Sequence, residues 1–185
     1  MRPHRNDPRR LDVERFAADR GHLEGDWPLA TMTRLVASCH EAFRPAVQDG
    51  VRWSVDGEQR RRAGQAPNAW LHLVLHAQVE LTCQRCLSAL PVTLDVDRRF
   101  HFVAGEQQAA ALDAESEDDV LASSRSFDLH ELAEDELLLA LPLVPRHEVC
   151  PQPLAVPPDA TGADDDPAPK ANPFAALAGL KRGSQ

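Results

Sequence analysis

The sequence predicts an α+β domain: a small antiparallel sheet of about three or more strands packed with helices, then a disordered linker and a short C-terminal helix. Three observations carry that class. Residues 70–81 and 90–102 each alternate apolar and polar side chains, the period of a strand with one buried face. Residues 128–141 repeat apolar side chains at helical spacing behind an acidic cap. Beyond residue 150, Pro, Asp and Ala dominate until Asn172-Pro173-Phe174 opens one more helical stretch.

The chain divides accordingly into a frayed segment (1–10), a single α+β domain (11–150), a Pro/Asp-rich linker (151–171) and a helical motif (172–185). A first helix is expected to open at Trp27-Pro28-Leu29, because Asp26 precedes it and proline is tolerated in a first turn. Leu29, Met32, Leu35, Val36 and Cys39 then fall on one face. Residues 51–55 alternate like a strand, and Asp56-Gly57 reads as the turn that ends it. Over 70–81, Leu71, Leu73, Leu75, Ala77, Val79 and Leu81 share one parity, with His72, His76, Gln78 and Glu80 between them. A helix would scatter those apolar side chains around its cylinder, so this segment is a strand. Cys83-Gln84-Arg85-Cys86 leads into a third strand, in which Val92, Leu94, Val96, Phe100 and Phe102 share a parity. The two cysteines therefore sit at the connection of an antiparallel pair. Residues 106–119 hold six acids and no base, and read as a solvated loop. In the helix over 128–141, Asp128 is the N-cap and Glu131 completes an Asp variant of the capping box. Glu134, Asp135 and Glu136 set negative charge towards the positive end of its dipole. Leu129, Leu132, Ala133, Leu137, Ala140 and Leu141 form its core stripe, and Pro142 and Pro145 end it.

Bulk properties narrow the function. The net charge is -9, the wrong sign for a protein that binds nucleic acid mainly by neutralising phosphates. With 5% aromatic residues and no Tyr, a broad stacking platform is also excluded. No apolar run reaches the roughly 18 residues a membrane helix needs, and the charged opening Met1-Arg2-Pro3-His4-Arg5 is followed by no apolar signal core. A cytoplasmic chain with no membrane partner is expected, where four cysteines stay as thiols or metal ligands.

Cys83 and Cys86 have the spacing of a redox pair, but a strand on either side replaces the helix N-terminus that such chemistry uses. Two other readings stay open. Cys83, Cys86, His147 and Cys150 form a donor set for zinc, provided the helix over 128–141 packs back on the sheet. A tight turn with two small, partly buried thiols accounts for the same pair without metal. Cys39 belongs to the core face of its helix. Arg60, Arg61 and Arg62, if they converge with Arg98 and Arg99, make an RNA-facing patch; an exposed hairpin loop of solvated arginines is the plainer account. His72 and His76 share the polar strand face and need no metal to explain them. No phosphate-binding loop, nucleophile elbow or zinc-protease motif occurs, so no residue is assigned to catalysis. The last stretch carries more information. Phe174, Leu177 and Leu180 repeat every three residues behind Asn172 and Pro173, with Lys181 at the C-terminal end. On a tether spanning 151–171, whose reach is about 25 Å, this reads as a short motif that folds into a partner's groove; docking back onto its own domain, or fraying, is the plainer account.

Three segments in this order resemble the YceD family. They are Leu81-Thr82-Cys83-Gln84-Arg85-Cys86-Leu87, the helix exit from Glu136 through Leu141-Pro142-Leu143-Val144-Pro145-Arg146-His147, and the tail from Asn172 to Lys181. Leu23-Glu24-Gly25-Asp26-Trp27-Pro28-Leu29 is compatible with it. The resemblance implies a part in the synthesis, processing or stability of large-subunit ribosomal RNA, in bacteria and plastids. It brings no catalytic residues, while Cys83, Cys86 and Cys150 match family cysteine positions. The expectation is a non-catalytic adaptor whose partner is a ribosomal protein or a large-subunit assembly or processing factor, with no small-molecule substrate. Direct contact with ribosomal RNA through the arginines, organised by zinc, is the alternative.

Overall fold

A computed structural model describes residues 6–61, 67–114, 116 and 118–151. They build a five-stranded sheet in sequence order, β1 to β5. The strands are β1 (His22–Pro28), β2 (Gly50–Arg60), β3 (Asn68–Thr82), β4 (Ala89–Val103) and β5 (Asp119–Ala122). Four of them form an antiparallel meander, and β5 adds parallel to β4 through Phe100–Val103. The helices are α1 (Val13–Ala18), α2 (Thr33–Ala37), α3 (Glu106–Asp113) and α4 (Leu129–Leu139). The α+β class and the two long strands follow the expected pattern. Parity on β3 is obeyed throughout, with Leu71, Leu73, Leu75, Ala77, Val79 and Leu81 all buried. Across from them β4 contributes Leu94, Val96, Phe100 and Phe102, and α1, α2 and α4 close the layer with Phe16, Leu35 and Leu137.

The segment around Trp27 departs from expectation. Trp27 and Pro28 end β1 rather than starting a helix, and a single 3₁₀ turn (Leu29–Thr31) separates them from α2. The reason is tertiary. Trp27 stacks on Trp53 of β2 with ring centroids 4.4 Å apart, which requires extended backbone beside β2. Leu29, Met32 and Leu35 are nevertheless buried as their spacing predicts. Asp56-Gly57 is not a turn either, since β2 continues through both to Arg60. Gly57 is needed there for closeness. A Cβ at that position would stand 2.6 Å from Phe16 Cδ1 and 3.1 Å from the Ala17 Cα, so α1 lies directly on the strand.

Of the segment expected as a solvated loop, Glu106–Asp113 is a helix and Asp119 opens β5. Gln107, Gln108, Ala109, Ala110, Ala111 and Leu112 are good helix formers, and they outweigh the charge count to give α3. Ala109 packs with Val103 and Val120 in a small second cluster that anchors β5. Near the start, Arg10 N–H donates to the Asp7 carbonyl at 2.9 Å, and Leu129 N–H donates to the Pro8 carbonyl at 2.8 Å, which ties Pro8 to the first residue of α4.

Asp128 caps α4 as expected, accepting from His130 N–H at 2.9 Å and Glu131 N–H at 3.1 Å. The acids behind it do not serve their own helix's dipole, because they lie beyond its first turn. Glu134 Oε1 accepts from the backbone N–H groups of Arg34 (2.6 Å) and Leu35 (3.2 Å), supplying the cap that α2 lacks. The Arg34 guanidinium bridges Glu134 and Asp135 at 3.1 and 2.5 Å. Glu136 is buried against Arg98. The Pro/Asp-rich linker and the C-terminal helical motif lie outside the described residues, apart from Pro151.

Candidate metal centre

β3 ends at Thr82 and β4 begins at Ala89, and between them the chain makes a tight knuckle. Cys83 N–H donates to the Ser88 carbonyl at 3.0 Å, and Leu87 N–H to the Cys83 carbonyl at 2.9 Å. Leu87 takes a positive φ of 62° so that the knuckle can close. At the other side, α4 ends at Leu139 and the chain over 142–151 runs as an irregular strap. Gln84 N–H donates to the Pro145 carbonyl at 2.8 Å, which pins this strap to the knuckle.

The pairing brings Cys83, Cys86, His147 and Cys150 together, with one donor atom from each and all within 4.8 Å of one another. Cys83 Sγ is 3.9 Å from Cys150 Sγ, and Cys86 Sγ is 3.5 Å from His147 Nδ1. Around a tetrahedral zinc with bond lengths of about 2.3 Å to sulfur and 2.0–2.1 Å to nitrogen, donors lie about 3.8 Å (S–S) and 3.6 Å (S–N) apart. These separations fit such an ion. None of the four cysteines is in a disulfide.

The surroundings favour thiolates at Cys83 and Cys86. Burial works to raise the Cys83 thiol, but backbone N–H groups of Cys86, His147 and Arg85 together with the His147 ring bring it down to about 5. The Ser88 side chain and backbone lower Cys86, whose Sγ is 3.0 Å from Ser88 Oγ. Cys83 beside it raises the His147 imidazole. Burial raises Cys150, opposed by Arg85 Nε, which donates to its sulfur at 2.9 Å. Arg85 also donates to the carbonyls of His147 (3.2 Å) and Glu148 (3.3 Å). One arginine thus orients the strap and offsets the negative charge of the donor set. Sequence reading passed over Arg85 and Ser88; the signal for Arg85 was a charged residue inside a tight Cys-x-x-Cys turn.

Arg98 and Arg99 do not share one face, because adjacent residues in a strand project to opposite sides. Arg98 turns to the helix side and binds Asp119 at 2.6 Å and Glu136 at 3.6 Å. Arg60 is held by Glu58 and lies 4.6 Å over the Trp70 ring, which stacks on His101. Arg61 is exposed, and Arg62 lies outside the described residues. His72 and His76 are 2.7 Å from Asp97 and Asp95 respectively, as partners on the sheet surface. Asn172, Pro173, Phe174, Leu177, Leu180 and Lys181 also lie outside the described residues.

Residues 71–181 match the family described as "Large ribosomal RNA subunit accumulation protein YceD", a span that takes in the knuckle, α4, the strap and the tail. The chain belongs to the YceD family. A similar protein of Haemophilus influenzae, named large ribosomal RNA subunit accumulation protein YceD, is 37% identical over 105 residues, covering 56% of this chain and 60% of its own length. No solved structure matches. In this YceD-family chain the matched region begins inside β3, so α1, β1, α2 and β2 come from outside it. Among the described residues no helix is long and apolar enough to cross a membrane.

Proposed function

We propose that this chain supports accumulation of large-subunit ribosomal RNA in the cytoplasm as a non-catalytic protein-binding adaptor, with Cys83, Cys86, His147 and Cys150 holding a structural zinc ion. The observation that carries the reading is the closed donor set. Catalytic zinc keeps one position for water or substrate, whereas a fourth protein ligand fills it. A zinc ion here would clamp the knuckle to the strap and take no part in turnover.

What the clamp presents supports the adaptor reading. Leu87, Leu139, Leu143, Val144 and Val149 are exposed large apolar side chains on the knuckle, the end of α4 and the strap, and Leu143 is fully open at 101%. Holding such a rim in water is unfavourable unless a partner covers it. The tail motif, with Phe174, Leu177 and Leu180, provides a second protein contact in this reading. The role in ribosomal RNA rests on the family's description and on the name of its Haemophilus influenzae relative.

Three measurements test it. Purified protein is expected to carry one zinc per chain by elemental analysis, and Cys83→Ser and Cys86→Ser to lose it. Cells lacking the chain are expected to show a lower ratio of large- to small-subunit ribosomal RNA, restored by the full sequence; an unchanged ratio rejects the role. In a pulldown, ribosomal proteins or assembly factors should co-purify with the full chain after RNase treatment and not with a form truncated after Ala171. Recovery that ignores the truncation and collapses with RNase would instead mean direct RNA binding by the folded part.

A further inference from the structure

We propose that the face of β1–β4 left open among the described residues docks a helix rich in lysine and arginine from a partner protein. The core with α1, α2 and α4 occupies one side of β1–β4, α3 packs by Val103 at the β5 end of the other, and strand register fixes what stands on the rest of that face. Glu24, Ser54, Val74 and Asp97 lie in one row across the four strands. Asp26, Arg52, His76 and Asp95 make the next. In these two rows four carboxylates face one guanidinium.

The geometry gives the face two rails and a floor. Glu24 and Asp26 stand on β1, and Asp95 and Asp97 stand three strand spacings away on β4, about 14 Å apart at roughly 4.8 Å per strand. A single helix with its side chains is about 10–12 Å across and fits between them. The carboxylates are open to a partner: side-chain exposure is 78% for Glu24, 73% for Asp95 and 75% for Asp97. Asp95 and Asp97 each give one hydrogen bond's worth of oxygen to a histidine and keep acceptor capacity. Between the rails Val74, 37% exposed, offers an apolar contact, and a shallow hollow of about 580 Å³ opens against Glu24, Asp26, Arg52 and Ser54. A basic helix would pair along both flanks and cover Val74 with its middle. Nucleic acid is repelled by the same charges.

This inference rests on the reading of the chain as a protein-binding adaptor and says where a basic partner sits. The test uses the full chain and three probes at near-physiological salt. These are an alanine-based peptide of about four turns with Lys and Arg on both flanks and Leu between, the same peptide with Glu for every base, and an RNA hairpin. Fluorescence anisotropy is expected to show saturable binding of the basic peptide alone, with amide NMR shifts concentrated on β1–β4. The combined variant Glu24→Gln/Asp26→Asn/Asp95→Asn/Asp97→Asn should bind at least tenfold more weakly, while Glu106→Gln/Asp118→Asn, whose acids lie outside the face, should bind as wild type. Shifts in wild-type protein that fall elsewhere, equal binding by the fourfold variant, or RNA shifting the face instead would each overturn it. None of these results depends on the ribosomal RNA ratio in cells, so the two readings fail separately.

Discussion

Glu136 is a carboxylate in an unfavourable place. Its side chain is 10% exposed, and Arg98, itself half-exposed, approaches only to 3.6 Å. Burial raises its pKa; Arg98 opposes that, and Asp119 and Asp135 add to it. The fold therefore favours the protonated acid. The stability this gives is fully present below the ordinary glutamate pKa of about 4.3 and is lost as pH rises through the raised folded value. Glu136→Gln removes the titration and leaves a neutral group of the same shape. Its urea midpoint, compared with wild type from pH 4 to 8, should move in the variant's favour as pH rises. A difference independent of pH would mean that Arg98 compensates the charge in full. Arg98 also shows what sequence reading missed at this scale. It shares the parity of Val96 and Phe100, so its place on the helix side was legible, but grouping it with Arg99 as a patch ignored the period of two.

At the scale of elements, local pattern was a good guide wherever one face of a segment is buried and the other solvated, as in β3, β4 and α4. It misled where a neighbour sets the backbone. Asp56-Gly57 has the composition of a turn, yet its glycine exists because Phe16 and Ala17 of α1 rest on it. Gly57→Ala should accordingly destabilise the protein by about 1–3 kcal/mol, since the aromatic ring is 1% exposed and the Ala17 backbone has no freedom to retreat. Denaturant unfolding measures this directly, and a turn-like Gly57 would predict a far smaller loss. α2 illustrates the same point from the other side. At five residues it has no side-chain cap of its own, and its N-terminus is completed by Glu134 from a helix a hundred positions later. No local rule could locate that cap. The metal-type cluster was partly legible for a similar reason: the Cys-x-x-Cys knuckle is local, but its meeting with His147 and Cys150 depends on α4 running back to the same end of the sheet.

For the molecule as a whole, the family match and the folding unit are different things. The match starts at residue 71 and so takes β3 without β2. In the fold, β3 is a central strand: β2 pairs with it from Arg52↔His76 to Arg60↔Asn68, and β4 pairs along its other edge. Without residues before 68, that first edge would present unpaired N–H and C=O groups in a flat, apolar strand, which invites association. Leu71, Leu73 and Leu75 would also lose the cover of Phe16, Trp53 and Val55. A chain of residues 68–185 should therefore fail to fold cooperatively even with zinc supplied. Expected signs are poor amide dispersion, weak near-ultraviolet circular dichroism and dye binding to exposed apolar surface, against a sharp transition for the full chain. If the fragment instead unfolded in one transition with a comparable denaturant slope per residue, β2 and α1 would be an appendage. The knuckle, α4 and the strap would then form a self-sufficient core, and the zinc clamp would have to supply much of the stability that the structure assigns to the larger apolar layer.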